Sequence, residues 1–130
     1  MVKNLLKKYI MRKETNPAIL ATVARLLSYF PFDQKDIATK NKVACFEKKA
    51  LKFLEEKEVK GEQAFCFQID EVEPHYPLGL WCSLCGLPKG NLPKKTNIMT
   101  YFKDQTSVVL AKDGEPQEQL YPVAQKADAA

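Results

Sequence analysis

The chain predicts an α+β protein: an N-terminal three-helix part packed on a small antiparallel β part that carries a long Pro/Gly-rich loop. Two observations carry this expectation. Residues 1–60 repeat apolar side chains at three- and four-residue steps, the period of an amphipathic helix. From residue 63 onward "QAFCFQIDEV" alternates instead, and "SVVLAKDGEPQEQLYPV" sets two short runs about an Asp113-Gly114 turn. At 130 residues the two parts, 1–60 and 61–130, are expected to share one compact domain.

The elements follow in order. Val2, Leu5, Leu6, Tyr9 and Ile10 form the stripe of a first helix, with Lys3, Lys7 and Lys8 off it. "TNPAIL" announces a second, because Thr15 or Asn16 can cap free amides and Pro17 suits the first helical position. Ile19, Leu20, Val23, Leu26, Leu27 and Phe30 give that helix a wide apolar face. "YFPFD" interrupts it, and Asp33 is placed to cap a short turn through Ile37. A third long helix is expected from about Asn41 to Glu58, on the stripe Val43, Phe46, Ala50, Phe53 and Leu54, with Cys45 outside the stripe. In the next segment Phe65, Phe67 and Ile69 share one face of a strand and Cys66, Gln68 and Asp70 the other. Residues 73–97 hold Pro74, Pro77, Pro88 and Pro93 with Gly79, Gly86 and Gly90, and read as a long loop. Residues after Val123 read as a frayed tail.

Composition narrows the function classes. A hydrophobic fraction of 45% and a charged fraction of 28% are those of a globular protein, and no apolar run is long enough to cross a bilayer. Lysines threaded through "MVKNLLKKYIMRK" do not fit a secretory signal, so an intracellular protein is expected. Cytoplasm is the first compartment; mitochondrial placement, suggested by the basic amphipathic start, and Golgi association are the alternatives. Charge is uneven: residues 1–60 carry fourteen Lys/Arg against seven Asp/Glu, and residues 61–130 six against nine. The basic half can attract nucleic acid or an acidic protein surface. No His/Asp/Ser constellation and no Gly-rich phosphate loop point to an enzyme.

"EPHYPLGLWCSLCGLPKG", residues 73–90, raises three readings. Cys82 and Cys85 have knuckle spacing, and with Cys66 and His75 they would complete a three-cysteine, one-histidine structural zinc site stapling the loop to its strand. A Trp directly before CxxC also fits a thiol–disulfide oxidoreductase using Cys82 and Cys85. The plainest reading has reduced thiols packing as small hydrophobes among Leu78, Leu80, Trp81, Leu84 and Leu87.

Two stretches resemble known families. "KNLLKKYI" followed by "ILATVARLLSYFPFDQKDI", within residues 3–37, is similar to the GRIP domain of golgins. Lys3 and Asn4 match that family's motif, while Met1 and Val2 stand where it carries an aromatic residue and a leucine. The resemblance implies a small helical, dimer-forming module binding an activated Arf-like GTPase at Golgi membranes. "KTNIMTYF", residues 95–102, resembles the peptide bound by DNA sliding clamps, which implies a helical turn presenting Ile98, Tyr101 and Phe102; Lys95 replaces the initial glutamine.

The expected function is therefore a non-enzymatic protein-interaction module or small complex subunit. Its docking residues are expected to be Tyr9, Trp81, Ile98, Tyr101 and Phe102, served by the helical part and the Trp81/Cys82/Cys85 loop. A protein partner is expected and no cofactor beyond the zinc of the metal reading. The residues give no oligomeric state.

Overall fold

The computed structural model describes residues 15–30, 36–69, 73 and 76–122. Within them lie three α-helices and a four-stranded antiparallel sheet, so the protein is α+β. Helix α1 spans Pro17–Ser28 and α2 spans Ile37–Val59. Strand β1 is Ala64–Gln68, helix α3 is Pro77–Cys85, and a 3-10 turn covers Lys89–Asn91. Strands β2 (Thr96–Tyr101), β3 (Thr106–Ala111) and β4 (Pro116–Tyr121) complete a meander in the order β1-β2-β3-β4.

Local chemistry sets the helix starts. Asn16 caps α1, its Oδ1 accepting from the Ala18 amide at 2.9 Å, with Pro17 in the first turn. Asp36 caps α2, accepting from the Thr39 hydroxyl at 2.5 Å and the Thr39 amide at 3.3 Å. Those two bonds hold the Asp36 carboxyl below its ordinary pKa. The cap moves the start of α2 four residues ahead of the expected Asn41.

Three expectations are corrected or fall elsewhere. Residues 73–97 are not an irregular loop, because α3 and the 3-10 turn occupy their centre. Pro77 opens α3 with the φ a helix needs, and Leu78, Trp81, Cys82 and Cys85 then recur at helical steps toward the core. Gly86, at φ 73° in the left-handed region, ends it. Residues 95–102 are not a helical turn, since Thr96–Tyr101 pairs as β2 with strands on both sides. Lys95, at φ 58°, makes the bend that enters β2. The first amphipathic segment, the Asp33 turn and the residues after Val123 lie outside the described residues.

The helices cover one face of the sheet: α1 packs on β2, β3 and β4, while α2 lies against α1, α3 and β1. Phe67, Ile98 and Val109 are in register across β1, β2 and β3, and all three are buried on that face. Trp81 of α3 closes the core. Its ring meets Phe46, Phe53 and Phe67 edge to face at 5.8, 5.3 and 5.9 Å between centroids. On the other face Cys66, Met99 and Val108 form a half-buried row, in register and without a covering helix among the described residues.

One polar cluster sits inside this apolar interface. The Thr22 hydroxyl of α1, fully buried, lies 2.9 Å from the Ala18 carbonyl, 2.6 Å from the Thr100 hydroxyl of β2 and 2.7 Å from the Ser107 hydroxyl of β3. A carbonyl only accepts, so the single Thr22 proton goes to Ala18, and Thr100 and Ser107 both donate to Thr22. Removing the Thr22 oxygen strands two buried donors at once. Thr22→Val, nearly isosteric, is expected to cost about 2–4 kcal/mol in denaturant unfolding. Combining it with Thr100→Val and Ser107→Ala is expected to recover most of that loss, because no donor is then left unpaired.

Candidate functional site

The CxxC pair belongs to the core. Cys82 is fully buried and Cys85 nearly so, on the side of α3 that meets α2. Burial pushes the Cys82 thiol from its ordinary 9.0 up to about 11, with Lys89 opposing weakly. Burial and then the neighbouring Cys45 thiol push Cys85 up to about 12. Both thiols also sit in the last turns of α3, where the carbonyl end of the helix disfavours an anion. A nucleophilic cysteine needs the reverse on both counts, a depressed pKa and a helix N-terminus.

The thiol neighbourhood is Cys45, Cys82 and Cys85, with Cys45 contributed by the helix position that falls outside the apolar stripe. Cys66 stands apart on β1, on the sheet face away from the helices, raised by its own partial burial. All four cysteines are free thiols. Among the described residues no three metal-ligating side chains converge, and His75 of the expected zinc set lies outside those residues.

The expected docking residues separate in the same way. Trp81, Ile98 and Phe102 are buried, Ile98 completely, and are spent in the core. Tyr101 alternates to the outside of β2 and is exposed, and Tyr9 lies outside the described residues. The strand geometry explains the split, because Ile98 and Tyr101 are an odd number of residues apart and face opposite ways. No helix among the described residues is long and apolar enough to cross a membrane.

The surface offers another feature instead. Between the start of α1 and the C-terminal half of α2 lies a groove of about 880 Å3, in which Leu20, Leu51 and Val59 supply the apolar lining. Leu20, in the first turn of α1, is 48% exposed, and Val59, in the last turn of α2, is 84% exposed. Glu47, Glu55 and Glu56 alternate with Lys48, Lys52 and Lys60 around it. Neither Leu51 nor Val59 stands out in the sequence. Leu20 gives the one available signal: it widens the α1 stripe beyond what a single packing face can bury. A second, smaller cleft of about 210 Å3 runs along β1, bounded by Phe65–Gln68 and by Tyr76, Pro77 and Leu78.

The raised thiols carry a pH signature. A thiol whose folded pKa lies above its unfolded value keeps its proton in the native state while the unfolded chain loses it. Stability is therefore expected to be level below about pH 9 and to fall between 9.0 and about 11–12. Denaturant unfolding across that range checks it, and Cys82→Ala with Cys85→Ala is expected to flatten the alkaline fall. In native protein, iodoacetamide is expected to modify Cys66 before Cys82 or Cys85. Compared with known proteins, the chain matches no family model and no curated protein.

Proposed function

We propose that the chain is a non-enzymatic protein-interaction module whose α1–α2 groove receives an amphipathic helix from a partner protein. The observation that carries this reading is the groove itself, with Leu20 and Val59 exposed at it and half-buried Leu51 in its lining. Helix recognition relies on apolar anchors at i, i+4 and i+7 laid into such a groove. Its volume of about 880 Å3 suits several side chains at once.

Charge fixes the kind of helix. Three glutamates and three lysines intersperse along the rim, so a partner face of a single sign meets as much repulsion as attraction. A helix flanking its apolar stripe with both signs satisfies the rim on either side. The raised pKa values of Cys82 and Cys85 support the non-catalytic half of the reading, since they leave the CxxC pair protonated at neutral pH.

The test uses a displayed library of helical peptides bearing an apolar i, i+4, i+7 stripe, selected against the full chain. Selected peptides are expected to lose about tenfold or more in affinity on the doubly substituted Leu20→Glu, Val59→Glu chain. Both positions are solvent-facing, so the melting temperature should move only slightly. Peptides that bind the substituted chain equally well sink the reading. So does a concentration-dependent doubling of mass removed by the same substitutions, which would make a second copy the occupant.

A further inference from the structure

The outer edge of β1 is an independent feature, and its hydrogen-bonding phase follows from the bonds around it. The Phe102 amide donates to the Gln63 carbonyl at 2.9 Å, and the Ile69 amide to the Thr96 carbonyl at 3.0 Å. In an antiparallel ladder bonded pairs alternate with non-bonded ones. With Phe65 opposite Thr100 and Phe67 opposite Ile98, the odd-numbered residues 63–69 bond toward β2. Ala64, Cys66 and Gln68 therefore direct their amides and carbonyls away from the sheet. Among the described residues no strand pairs with that side.

The two edges of the sheet are built differently. β4 begins with Pro116, carries Glu118 in an ion pair with Arg25 of α1, and is offset by two register shifts against β3. Proline, charge and irregular register are the devices that stop a further strand from adding. β1 reads AFCFQ, with no charge, no proline and no register shift. Beside it runs the cleft of about 210 Å3, walled on its far side by Tyr76, Pro77 and Leu78.

We infer that β1 is a second docking surface, which takes an extended segment of a partner protein as a fifth strand. The outward amides and carbonyls of Ala64, Cys66 and Gln68 supply main-chain bonds, and the cleft takes one apolar side chain of the added segment. Dimensions select this occupant. The cleft is smaller than the roughly 300–1,000 Å3 of small-molecule sites. A row of outward amides and carbonyls over five uncharged residues matches the main chain of one extended peptide segment. This surface is separate from the α1–α2 groove and does not depend on what that groove binds.

Amide hydrogen exchange resolved by residue tests the inference in the full chain. In the free protein the amides of Ala64, Cys66 and Gln68 are expected to exchange faster than those of Phe65 and Phe67. Peptides selected from a displayed library of random dodecapeptides against the Leu20→Glu, Val59→Glu chain, whose groove is blocked by charge, are expected to slow those three amides and leave the other two unchanged. Cys66→Pro removes an outward donor and no bond within the sheet, so it should weaken those peptides about tenfold or more. If Cys66→Pro does not fold, the exchange pattern of the unaltered chain still decides. Edge amides already protected in the free monomer, protection that appears only as the mass doubles, no selected peptide, or selected peptides that shift only α1 and α2 would each overturn the inference.

Discussion

The hydroxyl of Thr22 is the constraint around which the helix–sheet interface is organised. It is fully buried, it touches α1, β2 and β3 at once, and its bonds have only one consistent direction. An apolar interface tolerates sliding at small cost, whereas a buried donor without an acceptor does not. α1 is therefore held at one position across β2 and β3. With α1 so placed, β1 is left to α2 and α3, and Trp81 fills the space where those helices meet the sheet. Among the described residues this division leaves two places without a covering element: the seam between α1 and α2, and the outer edge of β1.

The residues with the most suggestive chemistry are those that the core consumes. Cys82 and Cys85 are buried in the core, and burial, joined at Cys85 by the neighbouring Cys45 thiol, moves their pKa values further above the ordinary 9.0. Trp81, the residue that made the CxxC pair resemble a redox site, is held by three aromatic rings. Lys57 shows the same economy at the surface. Its ammonium reaches Glu62 at 3.3 Å and also lies 5.2 Å from the Phe53 ring centre, shielding the edge of that cluster.

Periodicity made α1, most of α2, β1 and the β3–β4 hairpin legible, along with Phe46, Ala50, Leu54 and Phe67 as core. It failed at α3 and β2 for physical reasons. Four prolines and three glycines between 73 and 97 signal a break, yet Pro77 and Gly86 act there as the start and stop of a nine-residue helix. At β2, Ile98 and Tyr101 have a spacing that suits a helical turn, and only pairing with both neighbours makes them strand residues. The polar cluster was beyond reach. Thr22, Thr100 and Ser107 are ordinary residues until the fold brings together positions 78 and 85 residues apart. The groove was signalled by Leu20 alone, because whether Leu20 or Val59 is covered depends on where a second helix lies.

Asn16 has a consequence for the order in which the chain acquires its structure. Its carboxamide caps α1 through Oδ1, while Nδ2 donates to the Phe102 carbonyl at 2.8 Å and to Glu58 at 2.7 Å. Phe102 lies 86 residues further along, in the turn joining β2 to β3. During synthesis α1 leaves the ribosome before the strands of the sheet, but the bond that anchors its beginning is completed only once the turn between β2 and β3 has been made. Closing so long a loop is entropically slow. A nascent chain halted before residue 102 would therefore carry α1 without that bond at its N-terminal end.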